Sequence, residues 1–231
     1  TGYNLTDKFR VDVSSSFIRT TSGNRAVNSY GTESIMYLFT WYGMQINTDN
    51  LREYWQRGLE GFQQFNYNYN YHDNPYFNMY ENTNALDKNR ILGNIRLSYQ
   101  FTDELSLMLR TGLDYYNELR TIKRAYSTQR FPRGQYREDK IFFDEINSDL
   151  LLTYDKTINE NWHTTVSIGA NRMVRRNNYE ALSANQLVIP GYYNFSNTDI
   201  PLTSAQDLNE KQINSVYGFF NLGYKNVIFL D

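Results

Sequence analysis

Cysteine is absent from the 231 residues, and with it go disulfide scaffolds, thiolate metal sites and cysteine nucleophiles. Histidine is scarce: His72 and His163 lie far apart, and no HExxH, GxSxG or phosphate-binding glycine loop accompanies them. The sequence therefore assigns no catalytic residue, no metal site and no cofactor, and the chain is not read as an enzyme. A basic excess is also missing, since the formal net charge is −2, which speaks against a nucleic-acid partner. No apolar run approaches the roughly 20 residues of a membrane-spanning helix. The N-terminal TGYNLTDKFR has none of the basic, apolar and small-residue regions of a signal peptide, and is read as internal. A mean hydropathy of −0.67 suggests a water-soluble protein, but a membrane β-barrel shows lipid only every second residue and has a polar lumen and loops.

What is present is aromatic: 16% of the chain, with 21 Tyr and 14 Phe. These residues fall into stretches of period-two hydrophobicity, the spacing at which alternate side chains face opposite sides of a sheet. Phe9, Val11, Val13, Ser15 and Phe17 oppose Arg10, Asp12, Ser14 and Ser16. Ile91 to Phe101 opposes Arg90, Asn94, Arg96, Ser98 and Gln100. Leu105 to Tyr115 opposes Ser106, Met108, Arg110, Gly112 and Asp114. Ile146 to Tyr154 opposes Asn147, Asp149, Leu151 and Thr153. Trp162 to Ala170 and Val216 to Tyr224 complete six strands, with fragments at Thr1 to Tyr3 and Val227 to Asp231.

A soluble sandwich shows the same alternation, so the connections decide. TDE, KTINEN and KN are tight polar turns, whereas the spans Thr20 to Asn89, Asn117 to Asp144 and Met173 to Gln212 are long. Short periplasmic turns opposite long extracellular loops are the asymmetry of an outer-membrane barrel. Phe101, Tyr154, Trp162 and Tyr224 sit beside the short turns, where an interfacial aromatic girdle belongs. Six or seven such strands leave an apolar face and two open edges, so the expectation is an all-β segment of a larger antiparallel transmembrane barrel, with residues 1–231 forming part of one barrel domain.

With the strands placed, NPYFNMYENTNALDKNRILGNIRLSYQFTDELSL (Asn74 to Leu107) resembles the SusC/RagA family of TonB-dependent outer-membrane transporters. WYGMQIN (Trp41 to Asn47), LVIPGYYNFSN (Leu187 to Asn197) and SVYGFFNLGYKNVIFLD (Ser215 to Asp231) resemble further segments of that family in the same order. Met44 and Asn47 depart from it, standing where Arg and Asp are frequent. The resemblance implies a 22-stranded barrel whose plug and remaining strands lie outside this chain, and a SusD-type surface lipoprotein as partner. It also implies active import of glycans or oligopeptides driven through TonB, ExbB and ExbD. The competing readings are a secreted all-β glycan-binding module and a passive porin or adhesin barrel.

On the barrel reading Arg10, Asp12, Arg96, Arg110, Asp114 and Asp149 face the lumen. Candidate substrate contacts are Trp41, Tyr67, Tyr69, Tyr71, Asn74 and Tyr76, because tyrosine offers a rigid ring with a polar tip and asparagine offers donors and acceptors. The alternation of Tyr67, Tyr69 and Tyr71 with asparagines reads as a strand. Leu51, Tyr54, Trp55, Leu59 and Phe62, at helical spacing behind Thr48 and Asp49, read as a short amphipathic helix. Arg120, Lys123, Arg124, Arg130, Arg133, Arg137 and Lys140 read as a basic loop able to attract lipopolysaccharide or an acidic ligand.

Overall fold

A computed structural model of the chain describes residues 2–28, 30–225 and 227–230. Its strands form one antiparallel sheet in chain order: β1 (Gly2–Asn4), β2 (Phe9–Ser22), β3 (Thr83–Gln100), β4 (Leu105–Thr128), β5 (Phe131–Asn159), β6 (Trp162–Ala184), β7 (Thr203–Tyr224) and β8 (Ile228–Leu230). Thr1, Asn226 and Asp231, which the sequence places in the terminal fragments and the KN turn, fall outside the described residues.

One register runs through the sheet. Phe9 pairs with Tyr99, Tyr99 with Leu107, Leu107 with Leu152, Leu152 with Ile168 and Ile168 with Gly218. The next row on the same face is Val11, Leu97, Leu109, Leu150, Ala170 and Val216. Because side chains alternate, this keeps every apolar stretch on one face and sends Arg10, Asp12, Arg96, Arg110, Asp114 and Asp149 to the other. A register irregularity between Thr157 and Asn159 is confined to the short-turn end.

The apolar band drifts down the sheet. Its upper limit lies on the row Phe17, Ile91 and Tyr115 in β2 to β4, but at Ala170 and Val216 in β6 and β7, a pair aligned in register with Val11. Its lower limit falls in parallel, from Phe9 and Tyr99 to Trp162 and Tyr224. A drop of about six residues over about five interstrand steps, at about 3.4 Å per residue and about 4.8 Å per strand, corresponds to strands tilted by about 40° from the normal to the band. Closed transmembrane barrels have tilts of about 35–45°.

Above the band the strands continue further than periodicity indicates, and three expectations are corrected. The span 117–144 is not a loop: β4 and β5 remain paired up to Thr128 and Phe131, leaving Gln129 and Arg130 as a two-residue turn. Charged, polar and apolar side chains are mixed on both faces there, so the hydrophobic signal ends although the ladder does not. The third connection shortens to residues 185–202. In the first connection the amphipathic helix is absent. A single 3-10 turn (Thr48–Leu51) gives way to a reversal closed by a bridge between Trp55 and Gln64, and Gly58 and Gly61 lie at φ 78° and 81°, outside helical geometry.

The alternating Tyr67 to Tyr71 segment is likewise not a strand, because its asparagines bend the chain: the Asn70 N–H donates to Asn68 Oδ1 at 3.1 Å, an Asx turn. The helices present are α1 (Ile35–Thr40), capped by Ser34, and α2 (Pro75–Glu81), which starts from Asn74 as N-cap with Pro75 at the first helical position. Leu38, Leu51, Phe77 and Leu187 make the buried apolar core, with Ala125, Ala181 and Ala184 at the far ends of β4 and β6. That core lies in the cap, so the wall below it is held by its ladder.

Gly134, at φ 70°, is where the hairpin meets Leu187 of the third connection. A Cβ there would stand 2.7 Å from the Arg124 carbonyl oxygen and 3.1 Å from Leu187 Cδ1. Gly134→Val is therefore expected to cost roughly 2–3 kcal/mol locally. Trypsin should cut at Arg130 and Arg133 many times faster in this variant, with the ladder below Ile122 still protected; an unchanged cutting rate would refute the assignment.

Candidate functional site

Two surfaces carry the chemistry: the polar face of the wall and the cap at its upper end. On the polar face the charges are arranged as cross-strand pairs. Arg90 holds Asp114 at 2.6 and 2.8 Å, Arg110 holds Asp149 at 2.6 and 3.0 Å, and Arg175 holds Glu145 at 2.6 Å. Arg10 clamps Asp12 along its own strand, with a shortest contact of 2.7 Å. Lys88 and Arg120 both reach Glu118, at 3.2 and 2.5 Å. Arg96 lies between Asp12 and Arg110 in register and makes no ion pair among the described residues. Ser14, Asn94, Arg96, Gly112 and Asn147 are among the residues lining a shallow depression of about 460 Å³ there.

All six residues expected on this face are thus brought together on it, while the pairing of Asp114 with Arg90 and the further pair of Glu145 with Arg175 have no signal in the sequence. Only register reveals them, because each partner lies tens of residues away in sequence. One aromatic pair on the same face also escapes a sequence reading: Tyr116 and Phe143 stack at 4.9 Å, with the Lys88 ammonium 3.6 Å from the Tyr116 ring centre.

The cap is a folded first connection seated on the β4–β5 hairpin by buried polar groups. Asn82 Oδ1 accepts from the Ala125 N–H at 2.9 Å and from the Thr128 hydroxyl at 3.1 Å. Arg124, buried, donates to Glu33, Asn84 and the Thr83 carbonyl. Gln64 donates to Asp73 Oδ1 at 2.7 Å and to the Ser127 carbonyl at 2.5 Å, and its oxygen accepts from the Asn74 N–H. Asp73, 1% exposed, also accepts from the Gln129 N–H at 2.8 Å, while its Oδ2 is buried with no partner. Burial pushes this carboxyl up to about 6, against the opposing pull of the Gln64 and Gln129 hydrogen bonds and of Arg124.

The candidate contacts of the first connection separate into two kinds. Trp41 is 55% exposed and stacks on His72 at 5.3 Å, with Tyr37 edge-on to both rings and Tyr71 beside His72 at 6.4 Å. Burial lowers the His72 pKa, so the imidazole in this cluster is neutral at physiological pH. Tyr67 is exposed and lines a groove with Trp55 and Phe65. The others are committed to the fold. Asn74 is fully buried and spends both amide protons on the Leu51 and Phe65 carbonyls while its oxygen caps α2. The Tyr69 hydroxyl accepts from Gln56 and from the Asn66 N–H, and the Tyr76 ring lies against the Arg52 guanidinium at 5.4 Å.

The basic second connection is largely neutralised. Arg120, Arg124, Arg133 and Arg137 pair with Glu118, Glu33, Asp199 and Asp139, and Lys123 faces the Tyr193 ring. Arg130 and Lys140 alone of that set make neither an ion pair nor a cation–π contact among the described residues.

Asp73 makes cap docking pH-dependent. Its folded pKa is raised, so its contribution is full below about pH 4 and is lost as pH rises through about 6, by up to about 3 kcal/mol. Proteolysis of residues 23–82, normalised at each pH to an unstructured peptide, should be faster at pH 8 than at pH 5. In Asp73→Asn the difference should vanish; its persistence would assign the pH dependence to another group.

No protein-family model matches the chain, and no curated protein matches it. Solved structures do. The RagAB peptide transporter superposes on 99% of this chain with a TM-score of 0.73 at 13% identity, over 26% of its own chain. The RagAB peptide importer in its open-open state gives 0.72 at 15% identity, over 99% of this chain and 25% of its own. In the closed-closed state the figures are 0.68 and 13%, over 99% and 26%. This chain spans about a quarter of the length of the structures it matches. The fold of the chain is that of a barrel segment of a RagA-like transporter.

Proposed function

We propose that this chain supplies part of the wall and outer cap of an outer-membrane barrel that actively imports oligopeptides. The observation that carries the reading is the single register that leaves an apolar band exposed along every long strand. Leu109, Ile146 and Leu150 are each about 40% exposed, Ile168 60% and Val216 82%. The band is about 9–11 residues deep, which is the span of a tilted transmembrane strand. A contiguous apolar face of this size is not tolerated in water, whereas lipid covers it without further protein. A secreted glycan-binding module would have to hide it.

Lumen-facing roles for Arg10, Asp12, Arg96, Arg110, Asp114 and Asp149 follow from the same geometry, because the polar face must then turn inward. Phe101, Tyr154, Trp162 and Tyr224, at the short-turn end, form the inner girdle. The peptide substrate is inferred from the RagAB structures, which are described as a peptide transporter and importer. Trp41, Tyr67 and Tyr71, exposed aromatic residues of the cap, are the proposed contacts. A SusD-type lipoprotein over the cap, and drive through TonB, ExbB and ExbD, complete the reading. Both belong to the full-length transporter.

In cells making that transporter, the protein should fractionate with the outer membrane, and external protease should cut near Tyr71 and Asn194 but spare the TDE turn. A soluble protein, or cuts at Thr102 to Glu104 in intact cells, would overturn the topology. Face identity has its own test. Leu150→Arg on the apolar band should cost about 2–4 kcal/mol and deplete the heat-modifiable folded form, while Asn147→Arg on the polar face should leave it nearly unchanged.

A further inference from the structure

The charges along the β4–β5 hairpin are largely neutralised below its tip, which moves the question of lipid contact to the rim of the apolar band. The outward residues just above the band are Arg19, Asn89, Asn117 and Asp144 in β2 to β5, then Arg172 in β6 and Asn214 in β7. Arg19 is paired with Asp87 at 3.1 Å, and Asp144 with Arg176 at 3.3 Å. Arg172 is different. It is exposed, and among the described residues it makes no ion pair and no side-chain hydrogen bond.

Its surroundings fit a buried stem and an anion at the head. Two residues below on the same face is Ala170, and two above is Val174. Its cross-strand neighbours are Ser148, whose hydroxyl meets that of Thr111 at 3.1 Å, and Asn214. Asn214 accepts from Gln212 through its oxygen, at 3.4 Å, leaving its amide protons without a partner among the described residues. Four residues up the same face, Arg176 touches Asp144 only through Nε. The row therefore presents one uncompensated guanidinium, an amide donor beside it and a second, half-engaged guanidinium above.

We infer that Arg172, with Asn214 and Arg176, forms a binding site on the outer rim of the wall for the phosphate of an outer-leaflet glycolipid. The inference rests on the membrane reading above. An arginine one step beyond an apolar band lays its methylenes on that band and carries its charge to headgroup height. At that height the surrounding anions are lipid phosphates, for which the guanidinium fork is geometrically suited. A phosphate also leaves no buried charge unpaired, because the site is open to the interface. The structural alternative is an arginine merely solvated at the rim, and it differs in having no preference among headgroups.

The test uses purified full-length transporter in detergent, with bis-phosphorylated lipid A and its enzymatically dephosphorylated form as probes and native mass spectrometry as readout. Wild type should retain the phosphorylated lipid in preference. Arg172→Gln should weaken that binding about tenfold, the effect of one lost charge-assisted hydrogen bond, and leave the dephosphorylated lipid unaffected. Arg172→Lys should recover part of the loss. Arg130→Gln combined with Lys140→Gln should bind as wild type does, and millimolar inorganic phosphate should not compete, since the lipid chains supply much of the affinity.

Equal binding of both lipids by wild type, an unaltered Arg172→Gln, or a loss confined to the Arg130 and Lys140 variant would each overturn the site. Membrane placement is read separately by fractionation and by Leu150→Arg. A transporter that fractionates with the outer membrane yet shows no headgroup preference refutes the site alone.

Discussion

The whole molecule depends on one constraint, the antiparallel register from β2 to β7, which shifts only at Thr157 to Asn159 by the short-turn end. Below the cap the wall has no buried apolar core among the described residues, so the ladder and its cross-strand side-chain pairs hold it. A slip of one residue between any two strands would carry Leu109 or Ile95 to the polar face and Arg110 or Arg96 to the apolar one. The penalty is paid at every row beyond the slip, which is why a sheet without a core can still specify a single pairing. The downward drift of the band is the other half of this constraint, since a level band would describe an untilted sheet, unable to close.

Register also decides the electrostatics. Arg110 and Arg96 stand directly opposite each other, as do Arg90 and Tyr116, yet the carboxylate that pairs with Arg110 comes from the strand beyond and the one that pairs with Arg90 from a diagonal position. Asp149 meets Arg110 across β4 and β5, and Asp114 reaches diagonally to Arg90. The polar face is consequently made largely of short ion pairs, with Arg96 among the charges left over, rather than being a surface of one sign. Such pairing weakens the long-range field of this face while keeping it polar.

This explains what was legible in the sequence. Alternation in Ile91 to Phe101 and Leu105 to Tyr115 fixes the strands because each apolar side chain there meets the same environment. Above the band both faces of the hairpin meet water or the cap, so Ile122, Lys123 and Arg124 follow one another without a period, and strand becomes indistinguishable from loop. The cap was misread for a related reason. Leu51, Tyr54, Trp55, Leu59 and Phe62 have helical spacing, but Gly58 and Gly61 take left-handed φ and fold the segment back on itself. Asparagines, Asn74 among the candidate contacts, are ambiguous in sequence, since one side chain can cap, turn or bind. Asn74 caps and Asn68 turns, whereas Ser34 and Asn74-Pro75 were helix-start signals that could have been used.

The chemistry of the cap determines how firmly it sits. Its junction with the hairpin is made by Gln64, Asp73, Asn82, Arg124 and Thr128, whereas its buried large apolar residues are Leu38, Leu51 and Phe77, with Leu187 from the third connection. An apolar junction loses its stabilisation in full when it opens into water. A polar junction exchanges each hydrogen bond for one to water, at a net cost of about 0.5–1.5 kcal/mol per bond. The cap is therefore specified in position by directional bonds but held by a modest free energy, with one carboxylate, Asp73, left half-satisfied at the joint. The wall is fixed in place by a repeating ladder; the cap is fixed on it by side-chain amides, a buried guanidinium and a buried acid.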